Sequence, residues 1–407
     1  MMVAEKPSIA LSITEALCGK NFSKRSGPAK FIPIYTFKGH FKGHAANFKV
    51  TSVAGHVFNR DFPDEYQNRS KDPVILFDAP TVRKCDRRSR PVAKHLQMVS
   101  ANVDFVVLWL DCDKEGENIC FEVLEICKKN IPRSSHRVQR VYRAKFSSIA
   151  NKDIVAAFEG LKHEPNYNEA ISVDARQVLD LKIGVSFSRF QTSFLSDSIR
   201  KAGIRMLTYG PCQTPTLGFC VDQAEKIKKF VNEPFWRVEA DMKDETGKMH
   251  RMKWCRGKIF DKTAVTVIHR RLQMHYGAQE AEVLSVGQNK CTQQRPQGLN
   301  TVKLLKVGSQ SFGLSAHETM KIAEGLYLRG FTTYPRTEST TFSSNFNFKE
   351  VLTSLKDHDR YGAHAQGLLK DGFSKPRKGV DAGDHPPITP VRAALPGQLH
   401  DHELKVY

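Results

Sequence analysis

Apolar positions come as short continuous runs in the first third of the chain and at helical spacing later. Met1-Met2-Val3-Ala4 is an apolar run that stops at Glu5-Lys6-Pro7-Ser8, and residues 9–17 then read as a helix. A strand feeding a helix start puts Glu5 and Lys6 at the strand's carboxyl end, where α/β sheets bind ligands. A lone Glu-Lys pair is otherwise a surface ion pair. Residues 35–51 alternate as a hairpin does, between basic stretches at 19–30 and 82–91 that read as loops. Phe105-Val106-Val107-Leu108-Trp109-Leu110 is continuous and apolar, as central parallel strands are. Residues 119–127 follow as an apolar-faced helix. A strand over 138–142 ends at Arg143, just before Phe146-Ser147-Ser148-Ile149.

Beyond residue 150 the periods lengthen. Residues 168–190 form a long helical pattern carrying Arg176, and Gly210-Pro211-Cys212-Gln213-Thr214-Pro215 reads as a turn into another helix. Residues 234–286 turn to strand patterns. Leu299-Asn300-Thr301 opens a capped helix, and residues 315–329 predict one more. There Ser315 and Glu318 make a capping box, and Met320, Ala323 and Tyr327 share an apolar face. Gly330 ends that helix, and Pro335 pushes Tyr334 into an extended conformation. Arg336, two residues on, shares the face of Tyr334 if the segment is extended. Two readings stand at this point. One is a phenolic nucleophile beside a phosphate-binding fork; the other is a tyrosine packed at a strand start with Arg336 in solvent. Downstream, Pro386, Pro387 and Pro390 make a rigid loop displaying His385, which by itself carries little weight.

Composition narrows the partner. A chain of 407 residues is too long for one core, so two to four domains are expected. Sixty-two Lys and Arg against 43 Asp and Glu give a net charge of +19, which suits a polyanion, nucleic acid above all. Nine cysteines without a C-x-x-C pair argue against a zinc ribbon or a disulfide framework and suit a reducing compartment. No run is long and apolar enough for a bilayer span, so no membrane association is expected.

The sharpest chemical signal is Asp111-Cys112-Asp113-Lys114-Glu115-Gly116-Glu117, at the carboxyl end of the 105–110 strand. Carboxylates so crowded repel one another unless a cation joins them. Hard oxygen donors at alternate positions suit Mg²⁺, which uses few protein carboxylates and keeps its waters; the spacing of a calcium loop is absent. An acidic helix N-terminus would account for Glu115 and Glu117, but Asp111 and Asp113 precede the helix.

With these residues in order, the chain resembles the type IA DNA topoisomerases, of the eukaryotic topoisomerase III group and its beta branch. The matching stretches are Val3-Ala4-Glu5-Lys6-Pro7-Ser8, 108–118, 210–218, 299–305, 330–338 and 381–390. The resemblance implies an α/β plus α fold: a Toprim domain over 1–150, a helical gate-base segment over 151–230, a β-rich arm over 231–290, and a helical tyrosine-bearing domain over 291–407. It implies that Tyr334 attacks a phosphodiester of a single strand, leaving a 5′-phosphotyrosyl link, with religation and no ATP. Arg336, Lys6 and His385 would hold the phosphate, and Glu5 would protonate the leaving 3′-oxygen. Asp111, Asp113 and Glu115 would carry Mg²⁺, with Glu117 as an outer ligand. Arg143, Arg176, Gln213 and Thr214 would position the strand, His56 less directly. The implied partners are single-stranded DNA, also RNA, and a Tudor-domain scaffold protein, in the nucleus and also the cytoplasm. In the family the chain returns through the arm and the gate base after the tyrosine domain; those returns are missing here, so an incomplete toroid is expected. The competing expectations are a truncated, non-turnover single-strand-binding protein and a different Toprim enzyme, a nuclease or primase.

Overall fold

The computed structural model describes residues 1–69, 71–131, 139–162, 164–276, 283–344 and 346–407. They form two compact units, Met1–Gly210 with Gln294–Tyr407, and Pro211–Gln293.

The first unit is built on a six-stranded sheet. In chain order its strands are β1 (Met2–Ala4), β2 (Ser23–Ser26), β3 (Pro33–Phe41), β4 (His44–Ser52), then β7 (Val106–Trp109) and β8 (Val141–Arg143). Across the sheet they run β2-β3-β4-β1-β7-β8. β1 lies parallel between β4 and β7, and β8 is parallel to β7. The alternation of β-strand side chains explains why β1 and β7 carry no polar face. Met2, Ala4, Val107 and Trp109 pack on one side with α1 (Pro7–Cys18) and α4 (Asn151–Glu159). Val3, Val106 and Leu108 pack on the other with α2 (Arg90–Val99) and α3 (Lys114–Cys127). Lys42 and Gly43, both at positive φ, close the β3–β4 hairpin as its right-handed twist requires.

Two stretches expected to be basic loops contain strands. β2 lies within 19–30, and β5 (Asn59–Asp61) pairs antiparallel with β6 (Val82–Lys84) inside 82–91. All four residues of β2 are exposed, so this edge strand leaves no apolar alternation to read. Val138, the expected start of the strand before Arg143, lies outside the described residues. α5 (Tyr167–Phe194) is a single helix of 28 residues, capped by Asn166, whose side chain accepts from the amides of Asn168 and Glu169. α6 (Ser196–Lys201) follows.

The second unit holds α7 (Gln213–Lys228), the antiparallel pair β9 (Glu239–Lys243) and β10 (Met249–Lys253), and α8 (Lys262–Tyr276). Strand structure in the expected β-rich arm is thus one hairpin plus a Trp236–Ile259 bridge among the described residues; 277–282 lie outside them.

The last part of the first unit is helical: α9 (Thr301–Phe312), α10 (Ala316–Leu328), α11 (Phe348–Leu355), α12 (Gly362–Asp371) and α13 (Asp401–Val406). Asn300 caps α9, and the Ser315–Glu318 capping box opens α10. α10 ends in a Schellman motif: Gly330 N–H donates to Tyr327 O at 2.8 Å and Phe331 N–H to Leu326 O at 3.0 Å, with Gly330 at φ 71°. The chain leaves it extended, bridging Thr332 to Pro390, with Thr333 N–H on Thr389 O. The proline loop and the Tyr334 segment therefore lie side by side.

Candidate active site

The site begins where β7 ends. Asp111 is buried, and the first turn of α3 presses against it: a Cβ on Gly116 would stand 1.9 Å from the Asp111 carbonyl oxygen, so only glycine fits. Asp113 caps α3, its Oδ1 accepting from Gly116 N–H at 2.8 Å. Glu5 reaches across from the end of β1, with Asp111 N–H donating to its Oε2 at 3.3 Å. Lys6 Nζ stands 3.9 Å from both Glu5 Oε1 and Asp111 Oδ2. Burial, then the charge of Glu5, pushes the Asp111 carboxyl well above its ordinary range.

Tyr334 comes to these carboxylates from the other end of the sequence. Its amide donates to Ser147 O at 2.8 Å, and its phenol donates to Asp113 Oδ2 at 2.9 Å. The ring is 5% exposed, edge-on to Tyr327 at 5.1 Å between centroids and 4.6 Å from His385. Burial, with Asp111 and Asp113 adding to it, raises the Tyr334 pKa far above its ordinary value. The phenol is neutral in this arrangement. Tyr327, read from sequence as core, is buried but also places its hydroxyl 3.4 Å from Asp111 Oδ1. His385 is buried, with Nδ1 3.0 Å from Ser147 Oγ and Nε2 without a hydrogen-bond partner among the described residues. Burial lowers its pKa to about 4, so the imidazole is neutral at pH 7.

Arg336 does not share the buried face. Its side chain is 56% exposed and held by Glu324, with Nε 3.1 Å from Oε1. The tyrosine is thus packed, the arginine faces solvent, and carboxylates surround the phenol. Arg336, Asp113, Lys114, Glu115, Lys145, Ser147 and His385 line one cleft of about 1270 Å³. A second cleft, of about 770 Å³, is lined by His56, Arg60, Gln177, Asp180, Arg189 and Tyr209.

Three expectations require correction. Arg143 is wholly buried and cannot touch a strand. Its guanidinium donates to the carbonyls of Leu110 (2.7 Å), Ala144 (2.8 Å) and Asp111 (2.9 Å) and pairs with Glu117 at 3.0 Å, pinning the end of β7. Glu117 is equally buried. It serves Arg143, Lys145 and the Asn166 amide, so it is not an outer metal ligand. Glu115 is engaged by other side chains: it accepts from His56 Nε2 at 3.0 Å and pairs with Arg176. His56 also bridges to Glu122 Oε1 at 3.0 Å. Burial alone would lower the His56 pKa, but the hydrogen bonds it donates to Glu115 and Glu122 outweigh it and raise it to about 9. Among the described residues no group of three or more His, Cys, Asp or Glu is arranged to hold a metal ion. Gln213 and Thr214 open α7 in the second unit, and both are exposed.

The sequence profile of the family described as DNA topoisomerase matches residues 164–407, and that of the Toprim domain matches 1–149. The chain belongs to the type IA DNA topoisomerase family. Similar members include DNA topoisomerase 3-beta of Arabidopsis thaliana, 46% identical over all of this chain and 46% of its own length. DNA topoisomerase 3-beta-1 of Homo sapiens is 41% identical over all of this chain and 47% of its own. The chain thus spans about half the length of these relatives. The crystal structure of full-length topoisomerase I from Thermotoga maritima shares the fold, with a TM-score of 0.59 and 20% identity, over 96% of this chain and 55% of that one. As a type IA member the chain has an amino-terminal Toprim α/β domain followed by a largely helical region.

Proposed function

We propose that this chain carries the cleavage and religation chemistry of an ATP-independent type IA topoisomerase acting on single strands. The observation that carries the reading is the meeting of Tyr334 with Asp113, His385 and the Glu5–Lys6–Asp111 group, assembled from segments over 200 residues apart. As the Tyr334 oxygen attacks the strand phosphorus its proton passes to Asp113 Oδ2, to which the phenol already donates, and the phosphorus–3′-oxygen bond breaks, leaving a 5′-phosphotyrosyl link. Glu5 protonates the departing 3′-oxygen and takes the proton back on religation. Because burial and two aspartates hold the phenol neutral, attack requires the positive charge of Lys6 and Arg336 at the phosphate to offset that negative field. His385, neutral at its pKa of about 4, donates through one ring nitrogen without adding charge.

Asp111 and Asp113 fit a hard divalent cation such as Mg²⁺. The Asp111 carboxyl is buried beside Glu5, and a cation there would let Asp111 ionise. When bound, the ion supplies positive charge for the phosphate oxygens. Glu115 would instead orient Arg176 along the strand. Strand passage that relaxes negative supercoils or decatenates, action on RNA, a Tudor-domain partner and work in the nucleus, and also the cytoplasm, belong to the same reading.

The test is a 3′-labelled oligonucleotide incubated with Mg²⁺ and then denatured. A covalent adduct is expected on the 3′-labelled strand, absent with Tyr334→Phe. No adduct, or an adduct indifferent to Tyr334→Phe, would leave only single-strand binding.

A further inference from the structure

Ser147 joins two parts of the site. Its carbonyl accepts the Tyr334 amide at 2.8 Å, and its hydroxyl lies 3.0 Å from His385 Nδ1. The loop that carries it is tied to the sheet: Ala144 N–H donates to Leu108 O at 3.0 Å, and Phe146 packs on Trp109 at 5.7 Å between centroids. The histidine is anchored from its own side, with Thr337 Oγ1 donating to His385 O at 2.7 Å. Neither end of the Ser147–His385 contact can drift, and both residues line the active-site cleft.

A neutral imidazole carries one N–H, on either ring nitrogen, and the partner of the other nitrogen selects which. Here Nε2 is buried and has no hydrogen-bond partner among the described residues. A phosphate oxygen only accepts hydrogen bonds, so Nε2 can serve it only as an N–H. That requires Nδ1 to be the acceptor, and the Ser147 hydroxyl is the donor in reach. With the opposite tautomer a bare lone pair would face the anion and repel it.

We propose that Ser147 is a positioning residue for strand cleavage: its hydroxyl donates to His385 Nδ1 and fixes the imidazole tautomer whose Nε2–H meets the strand phosphate. The inference rests on the reading of His385 given under Proposed function. Burial supports it, because the ring stays neutral at working pH and its tautomer, not its charge, sets what it offers.

The test uses the full chain as Ser147→Ala, Ser147→Thr, His385→Gln and the Ser147→Ala/His385→Gln double variant. Histidine ¹⁵N spectra, with His385 assigned by its absence in His385→Gln, are expected to show wild-type Nδ1 unprotonated and Nε2 protonated. Ser147→Ala should mix the two tautomers. Ser147→Thr, which keeps the hydroxyl, should retain the wild-type signature. Single-turnover cleavage should slow about tenfold in Ser147→Ala with strand affinity unchanged. Ser147→Thr should restore the rate, and the double variant should be no slower than His385→Gln alone. An unchanged tautomer in Ser147→Ala, equal losses in Ala and Thr, or additive losses in the double variant would overturn the inference. Its failure is separable from that of the functional reading, because the spectra need no turnover and the Tyr334→Phe adduct needs no Ser147.

Discussion

A guanidinium wholly inside a protein must be answered by carbonyls and a carboxylate, and Arg143 is answered by four carbonyls and Glu117. From sequence it stood as a strand-positioning residue, because an arginine at a strand end next to a site looks the same whether it points in or out. Burial decides between the two. Arg143→Ala is expected to destabilise the chain by about 3–5 kcal/mol in a denaturant titration, because Glu117 loses its main buried partner. A loss of strand affinity with full stability would return Arg143 to the strand. Tyr334 shows the reverse case. The turn chemistry of Gly330 and Pro335 made its extended presentation legible, but the carboxylates around its hydroxyl come from Asp111 and Asp113, far off in sequence.

At the scale of elements, legibility followed burial. β1 and β7 are sandwiched between helices, so every residue is apolar and each strand reads as a continuous run. β2 and β6 are short and not buried, and their basic residues disguise them as loops. The His56 bridge was hidden for another reason: it ties the segment after β4 to α3 through Glu115 and Glu122, about sixty residues away. Its consequence is a pH dependence. Folding raises the His56 pKa from 6.5 to about 9, so the protonated form is the one the fold favours. The stabilisation is fully present below pH 6.5 and is lost as pH rises through about 9, up to about 3 kcal/mol in all. The melting temperature of the wild type should exceed that of His56→Gln at pH 6, and the gap should narrow by pH 9.5. A gap constant across that range would show that the bridge is not ionic.

For the whole molecule, a net charge of +19 predicts strand binding that falls steeply with salt. Contacts to about three to five phosphates give a log–log slope of about −2 to −3.5 for a single strand. A slope near zero in a filter or anisotropy titration would remove the electrostatic basis of the reading. Apolar side chains also stand exposed along α5 and α7, among them Phe187, Phe190, Phe194, Leu217 and Phe219. Local patterning by itself determined the buried parallel strands, the capped helices, the acidic strand end and the stiff Tyr-Pro-Arg segment, because each depends on neighbours within a few residues. Only the tertiary structure decided that Arg143 and Glu117 face inward, that Glu115 belongs to His56 and Arg176, and that Ser147 meets His385. Those outcomes depend on which side of a strand or helix turns toward a partner from about 26 to 238 residues away, and no local period records it.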